Sequence, residues 1–214
     1  MKKLLLLAVA VMAAVAAQAQ IPDRVKEIMD KCSQKMNNPA GLEIDMKLHV
    51  GMVVISMNGT MKVYSKGDKA KSIVSIKMMG QEIKHVSGFD GENDWELKPA
   101  VKKDEKDSLI ITKADKKAKG DYDMDLDMTD TYGKAELKEK GKFYVITFTK
   151  PKDKDDPKKS IVKISKESYY LQEMEGKMGI GTMTMTVEKY KVGVSDDKLR
   201  LDPDEFPGAV VVRK

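Results

Sequence analysis

The sequence predicts a mainly β, α+β fold: one large curved antiparallel sheet of roughly nine to eleven strands behind a single N-terminal helix. Three observations predict it. From residue 42 onward apolar and polar residues alternate with a period of two; short Gly- and Asp-rich turns separate the alternating runs; and one stripe of helical period lies ahead of them all, at 24–36.

The chain opens with Lys2 and Lys3, an uncharged apolar run from Leu4 to Ala17, and then Ala17-Gln18-Ala19. A positive start, an apolar stretch too short to span a hydrocarbon layer comfortably and small residues at the cleavage positions read as a secretory leader. Cleavage after Ala19 is expected, with residues 20–214 forming a single domain. No Cys follows the apolar run, so no lipid-anchored N-terminus is expected, and a soluble location in the periplasm is. Cys32 is the only cysteine, so no intramolecular disulfide supports the fold.

Val25, Ile28, Met29, Cys32 and Met36 recur at helical spacing after Asp23, a residue suited to an N-cap, and Asn37-Asn38-Pro39 ends the helix. Leu42, Ile44, Met46, Leu48 and Val50 then alternate with charged and polar residues, and Gly51 turns the chain. Ile55 to Val63 and Val74 to Met78 continue the alternation on either side of the Lys66-Gly67-Asp68 turn. Segments 83–89 and 95–97 flank Asp90-Gly91-Glu92-Asn93. These short connections favour an antiparallel meander. Pro99 to Asp107 breaks the pattern, and 108–113 is a short strand or partly buried turn. The pattern of 133–140 is unclear; strands are expected at 143–150, 160–166, 169–174 and 179–190, before an irregular C-terminal segment containing Asp202-Pro203 and Phe206-Pro207-Gly208. Repetition at 20–50 residues, the mark of a solenoid or propeller, is not seen.

Composition removes several function classes. Charged residues make up 34% of the chain with both signs mixed, and loss of Lys2 and Lys3 with the leader lowers the formal charge from +5 to +3. With only Arg24, Arg200 and Arg213 to form bidentate forks, a nucleic-acid partner is not expected. No GxSxG elbow, phosphate-binding loop, HExxH or CxxC occurs, and His49 and His85 are the only histidines, so neither an enzyme nor a zinc site is expected and no cofactor is implied. Asp121, Asp123, Asp125 and Asp127 alternate along one segment, but a calcium-binding helix–loop–helix would need Gly and Glu where Leu126 and Tyr132 stand. A solvated face explains them better.

Methionine is the unusual component. Of 16 Met, all but Met1 and Met12 lie beyond the leader, many on the apolar side of strands, whereas aromatics are only 6% of the chain. Unbranched, polarizable Met side chains re-pack around ligands of varied shape. A Met-rich solid core and an adaptable cavity for an acyl chain are the two readings of that composition.

Several stretches together resemble the LolA-like superfamily of periplasmic lipoprotein and lipid carriers. Phe89-Asp90-Gly91-Glu92-Asn93-Asp94-Trp95 is similar to its "DGxxxW" hairpin, 61–69 to its second strand and turn, 141–148 and 161–171 to its central hairpin, and Phe206-Pro207-Gly208 to its C-terminal segment. The resemblance implies an unclosed antiparallel β-barrel with the N-terminal helix and other short helical segments as a lid, shielding acyl chains of lipoproteins or lipids in an apolar cavity, with no catalytic residues. Where carriers of proteobacteria place a lid-latching Arg after the turn, this chain has Lys69, Ala70 and Lys71. The cavity lining expected on this basis is Val25, Ile28 and Met29 from the helix, with Ile44, Met46, Met57, Met61, Val74, Ile76, Met183 and Met185 from the sheet. Sequence parity does not say which face of the sheet is concave. The expected partners are an acyl-chain lipid or lipoprotein and inner- or outer-membrane proteins, with the carrier itself a monomer. The alternative is an envelope-stress sensor or scaffold on the same fold, binding a protein partner through the charged run 98–119.

Overall fold

The computed structural model describes residues 21–52, 56–78, 81–100, 105–114, 126, 128–179 and 181–214. The leader, residues 101–104 and 115–120 of the charged run, and the alternating aspartates lie outside the described residues.

Helix α1 (Asp23–Met36) buries the predicted stripe Val25, Ile28, Met29, Cys32 and Met36. Asp23 is not the cap. Pro22 holds that position without a side-chain bond, and Asp23 lies in the first turn, where its charge still suits the helix dipole. On the wet side Glu27 pairs with Arg24 at 2.6 Å and with Lys31 at 2.8 Å. These exposed pairs are screened by water and contribute little, so the helix is held by its buried stripe, at about 1.5–3 kcal/mol per fully buried apolar side chain. Gly41 turns the chain into the sheet at φ +83, where a Cβ would stand 2.8 Å from Val194 and 2.9 Å from the Ser65 carbonyl oxygen.

Among the described residues twelve strands follow: β1 (Leu42–Gly51), β2 (Ser56–Lys66), β3 (Lys69–Met78), β4 (Gln81–Phe89), β5 (Asn93–Lys98), β6 (Ser108–Lys113), β7 (Tyr132–Lys140), β8 (Phe143–Pro151), β9 (Lys159–Ser165), β10 (Leu171–Met178), β11 (Gly181–Val192) and β12 (Val210–Arg213). They form one sheet in the order β12-β6-β5-β4-β3-β2-β1-β11-β10-β9-β8-β7. Its two ends do not pair with each other, so the barrel is unclosed. Every pairing is antiparallel except that of β12 with β6, which is parallel. Strand β7 occupies the segment whose sequence pattern was ambiguous. Strand β6, in the middle of the charged run, is an interior strand with Leu109 and Ile111 buried, so this part of the run is not a loop.

Two apolar cores lie on opposite faces of this sheet. On the inner face, the one that carries α1, the helix stripe packs with Leu42, Ile44, Met46 and Val63 and with residues of β7–β10 such as Ile146, Phe148, Val162 and Ile164. On the outer face, Val86, Trp95, Leu97, Leu109 and Ile111 from β4–β6 are capped by Phe206 of the C-terminal segment. That segment leaves β11, makes two short 3-10 turns (Asp196–Lys198 and Pro203–Glu205), crosses the outer face and ends as β12. The inside/outside polarity of the sheet therefore reverses between its two halves.

Candidate functional site

Strand pairing places all eight sheet residues expected to line a cavity on one face. Met46 lies opposite Met61, and Val50 opposite Met57. Met61 lies opposite Val74, and Gly59 opposite Ile76. On the other flank of β1, Leu48 faces Met185 and Val50 faces Met183. Because side chains alternate along a strand, Ile44, Met46, Met57, Met61, Val74, Ile76, Met183 and Met185 share the face of Leu42 and Ile44, which is the inner face under α1. Met174, opposite Met185, joins them.

Exposure grades along this face. Ile44 and Met46 are buried against α1; Leu48, Val50, Met57, Met61, Val74, Ile76, Met183 and Met185 are half-buried; and Ile83, opposite Ile76 on β4, is 38% exposed. The apolar floor thus runs out from under the helix toward the strand ends at Gly51, Met78 and Gly181. It stops sideways at β4 and β5, where His85, opposite Val74, lies 3.6 Å from Glu96.

The helix residues of the expected lining sit differently. Val25, Ile28 and Met29 have no exposed surface and touch the sheet directly. Of four cavities formed by the described residues, none is lined by α1. Where these three residues meet the sheet, the contact is closed to water. A cavity of about 450 Å³ is bordered by Met46 and Met61, yet its Asp45, Thr60, Lys62 and Ile73 alternate with the floor and belong to the outer face. The largest, about 560 Å³, is polar and lies between the β2–β3 and β4–β5 turns and the first 3-10 turn.

Buried polar chemistry is structural in character. The Cys32 thiol is pushed up to about 12 by burial, and burial likewise raises Tyr190, whose hydroxyl donates to the Leu171 carbonyl. On the outer face Glu43 accepts from Lys198 at 2.8 Å and from Lys62 at 3.5 Å. The bond from Lys198 above all holds its carboxyl below the ordinary range. No cluster of three or more His, Cys, Asp or Glu side chains is placed to hold a metal among the described residues.

Lys71 is the residue that sequence reasoning undervalued. It is buried on the outer face, donates to Glu205 at 2.6 Å and lies 5.6 Å from the Trp95 ring centroid. Phe206 sits beside the same ring at 6.1 Å. Lysine here fastens the C-terminal segment rather than a lid over the floor. Its only signal in the sequence is a lysine following the turn where the resembling carriers place an arginine.

No family model matches the chain, and neither does any curated protein. Among solved structures, an uncharacterized conserved protein from Thermus thermophilus is similar over 89% of this chain and 99% of its own, with a TM-score of 0.55 and 11% identity. A LolA superfamily protein from Nitrosomonas europaea matches over 83% of this chain and 97% of its own at a TM-score of 0.41 and 15% identity. The Mycobacterium tuberculosis lipoprotein LppX matches over 80% and 97% at 0.47 and 11%. At such identities a likeness is one of fold alone, and the fold this chain shares with the Thermus thermophilus protein, along nearly the full length of both, is the one described above.

Proposed function

We propose that the protein is an exported carrier of the cell envelope that shields the acyl chain of a lipid or lipoprotein on the inner-face floor. Met57, Met61, Val74, Ile76, Met183 and Met185 form the contact surface. The observation that carries this reading is the graded, half-buried apolar strip continuing past the helix. Val25, Ile28 and Met29 act as the sealed wall behind it rather than as lining. Each CH₂ removed from water contributes about 0.8 kcal/mol, so even a partly covered chain gains several kcal/mol. Thioether side chains adapt to it without a preformed slot. The sequence resemblance to lipid and lipoprotein carriers and the leader-like N-terminus point the same way, toward a periplasmic location and membrane proteins as donor or acceptor.

The test is purification from envelope extracts without detergent, followed by solvent extraction and mass spectrometry. Acyl lipid is expected with the wild-type protein and not with a Met57→Lys, Met183→Lys variant of unchanged stability. Lipid-free wild-type protein that also fails to bind a fluorescent fatty acid overturns the proposal.

A further inference from the structure

Met183 and Met185 stand two residues apart on β11, separated by Thr184, and Met174 of β10 lies directly opposite Met185. Strand alternation puts all three on the inner face, while Thr182, Thr184 and Thr186 take the outer one. Directly opposed residues hold their Cβ atoms about 5 Å apart, and diagonal ones, here Met174 and Met183, about 7 Å apart. A methionine sulfur lies two rotatable bonds beyond Cβ, so three sulfurs in this arrangement can converge on one point. Gly176, opposite Met183, leaves that corner of the trio without a side chain. Strands favour β-branched and aromatic residues, and a core of defined shape uses methionine sparingly. Three thioethers on two paired strands follow neither preference.

The surroundings define the chemistry. Register sets Val162 and Ser160 of β9 on one flank of the trio and Leu48 and Val50 of β1 on the other. Ser160 is buried, and its hydroxyl is bonded to that of Tyr132 at 2.7 Å. These described neighbours bring no carboxylate, imidazole or amine. The β8–β9 connection at this end of the strands carries Asp153, Asp155 and Asp156 against Lys152, Lys154 and Lys158, so its charges balance. Thioethers without hard donors select soft ions such as Cu(I), and the equally soft Ag(I), over zinc, calcium or magnesium. A single positive charge also costs less to bring to an apolar face than a double one. All three methionines are half-buried, open enough for an ion to enter from solvent. The other directly opposed pair, Met46 with Met61, offers only two sulfurs, and Met46 is buried. Cys32 is fully buried and lies on α1.

We propose that Met174, Met183 and Met185 form a soft-metal site on the inner face, binding one monovalent ion, Cu(I) or Ag(I), through three thioether sulfurs. The site stands independently of the acyl-chain reading, since it requires the sulfurs and not merely an apolar surface.

The test is titration of the full-length mature protein with Ag(I), which needs no reductant, followed through the resonances of isotope-labelled methionine methyl groups. Uptake of one ion per chain is expected, with shifts in three methyls, assigned by the single Met174→Leu, Met183→Leu and Met185→Leu variants. Leucine keeps the volume and apolar character of the site and removes the sulfur. A Met183→Leu, Met185→Leu variant with an unchanged urea midpoint should bind Ag(I) roughly tenfold or more weakly, at least the loss that changes behind the ligands cause at metal sites. If the double variant is destabilised, the single Met185→Leu variant carries the same comparison. Met128→Leu and Cys32→Ala should bind as the wild type does. Cu(I) supplied anaerobically from a coloured chelator should give the same pattern, and Zn(II) should move none of the three methyls. Wild-type protein that takes up no Ag(I), undiminished binding by the leucine variants, loss of binding in Cys32→Ala, or shifts spread evenly over all methionines overturns the proposal.

Discussion

Removing the partners of the Lys71–Glu205 contact one at a time should have unequal costs. The Lys71 side chain is 6% exposed and that of Glu205 44%, with 2.6 Å between Nζ and Oε2. Because Glu205 is half in water, the ion pair itself contributes about 1 kcal/mol or less. The ammonium over Trp95 adds about 1–2 kcal/mol in this desolvated setting. A Lys71→Met substitution keeps most of the buried stem and frees Glu205 to turn outward, so it should cost about 1–2 kcal/mol. Glu205→Ala instead strands an ammonium with almost no access to water, and a buried charge without its partner costs about 3 kcal/mol or more. The double variant should be no less stable than Glu205→Ala alone, since the stranded charge is gone. Urea unfolding followed by Trp95 fluorescence measures all three. A Lys71→Met cost equal to or above that of Glu205→Ala would refute the reasoning, because the desolvation of Lys71 would then not be the controlling effect.

Three further outcomes are expected. Gly88→Ala places a Cβ 2.7 Å from the Ala70 carbonyl oxygen and 2.6 Å from the Trp95 ring; forced shifts of this kind cost about 1–3 kcal/mol, read as a lowered urea midpoint with an unchanged slope. Glu43 is held below its ordinary value of 4.5 in the fold, so the stability it adds is full above that value and is lost as pH falls through the lower folded value; Glu43→Gln should flatten the decline in stability measured by acid titration below about pH 4.5. Cys32, with its thiol pushed up to about 12, should resist a thiol-directed disulfide reagent at about pH 8 in the native state and react promptly in urea; fast native labelling would contradict its burial.

Much of the fold was legible because its elements obey simple periods. The helix stripe Val25–Met36 and the start of β1 bury the residues that their spacing predicts, while the apolar residues of β11 and, apart from Val63, of β2 are at most half-buried. Pairing was not legible. The contact of β1 with β11, which brings Met183 and Met185 beside Leu48 and Val50, joins segments distant in the chain, and no local pattern encodes it. Strand β7 was ambiguous because it is an edge strand, with charged Lys134, Glu136, Lys138 and Lys140 replacing a clean alternation, a common protection against wrong pairing. The reversal of faces was invisible for a related reason: Trp95, Leu97, Leu109 and Ile111 alternate like any other strand residues, and only the returning C-terminal segment turns their side of the sheet into a core. Of the candidate site, strand pairing sets the eight sheet residues on one face, and Val25, Ile28 and Met29 are fully buried against that face. A stripe at helical spacing identifies a buried side and says nothing about whether a void lies beneath it.

Carrier function is tested most directly by photo-crosslinking with a diazirine-bearing fatty acid, with adducts mapped by peptide mass spectrometry. An acyl chain held on the inner-face floor predicts adducts on peptides containing Met57, Met61, Met183 and Met185, and few on those containing α1 or the Trp95–Phe206 cluster. Adducts concentrated on the helix or on the outer-face cluster, or none above background, would contradict it.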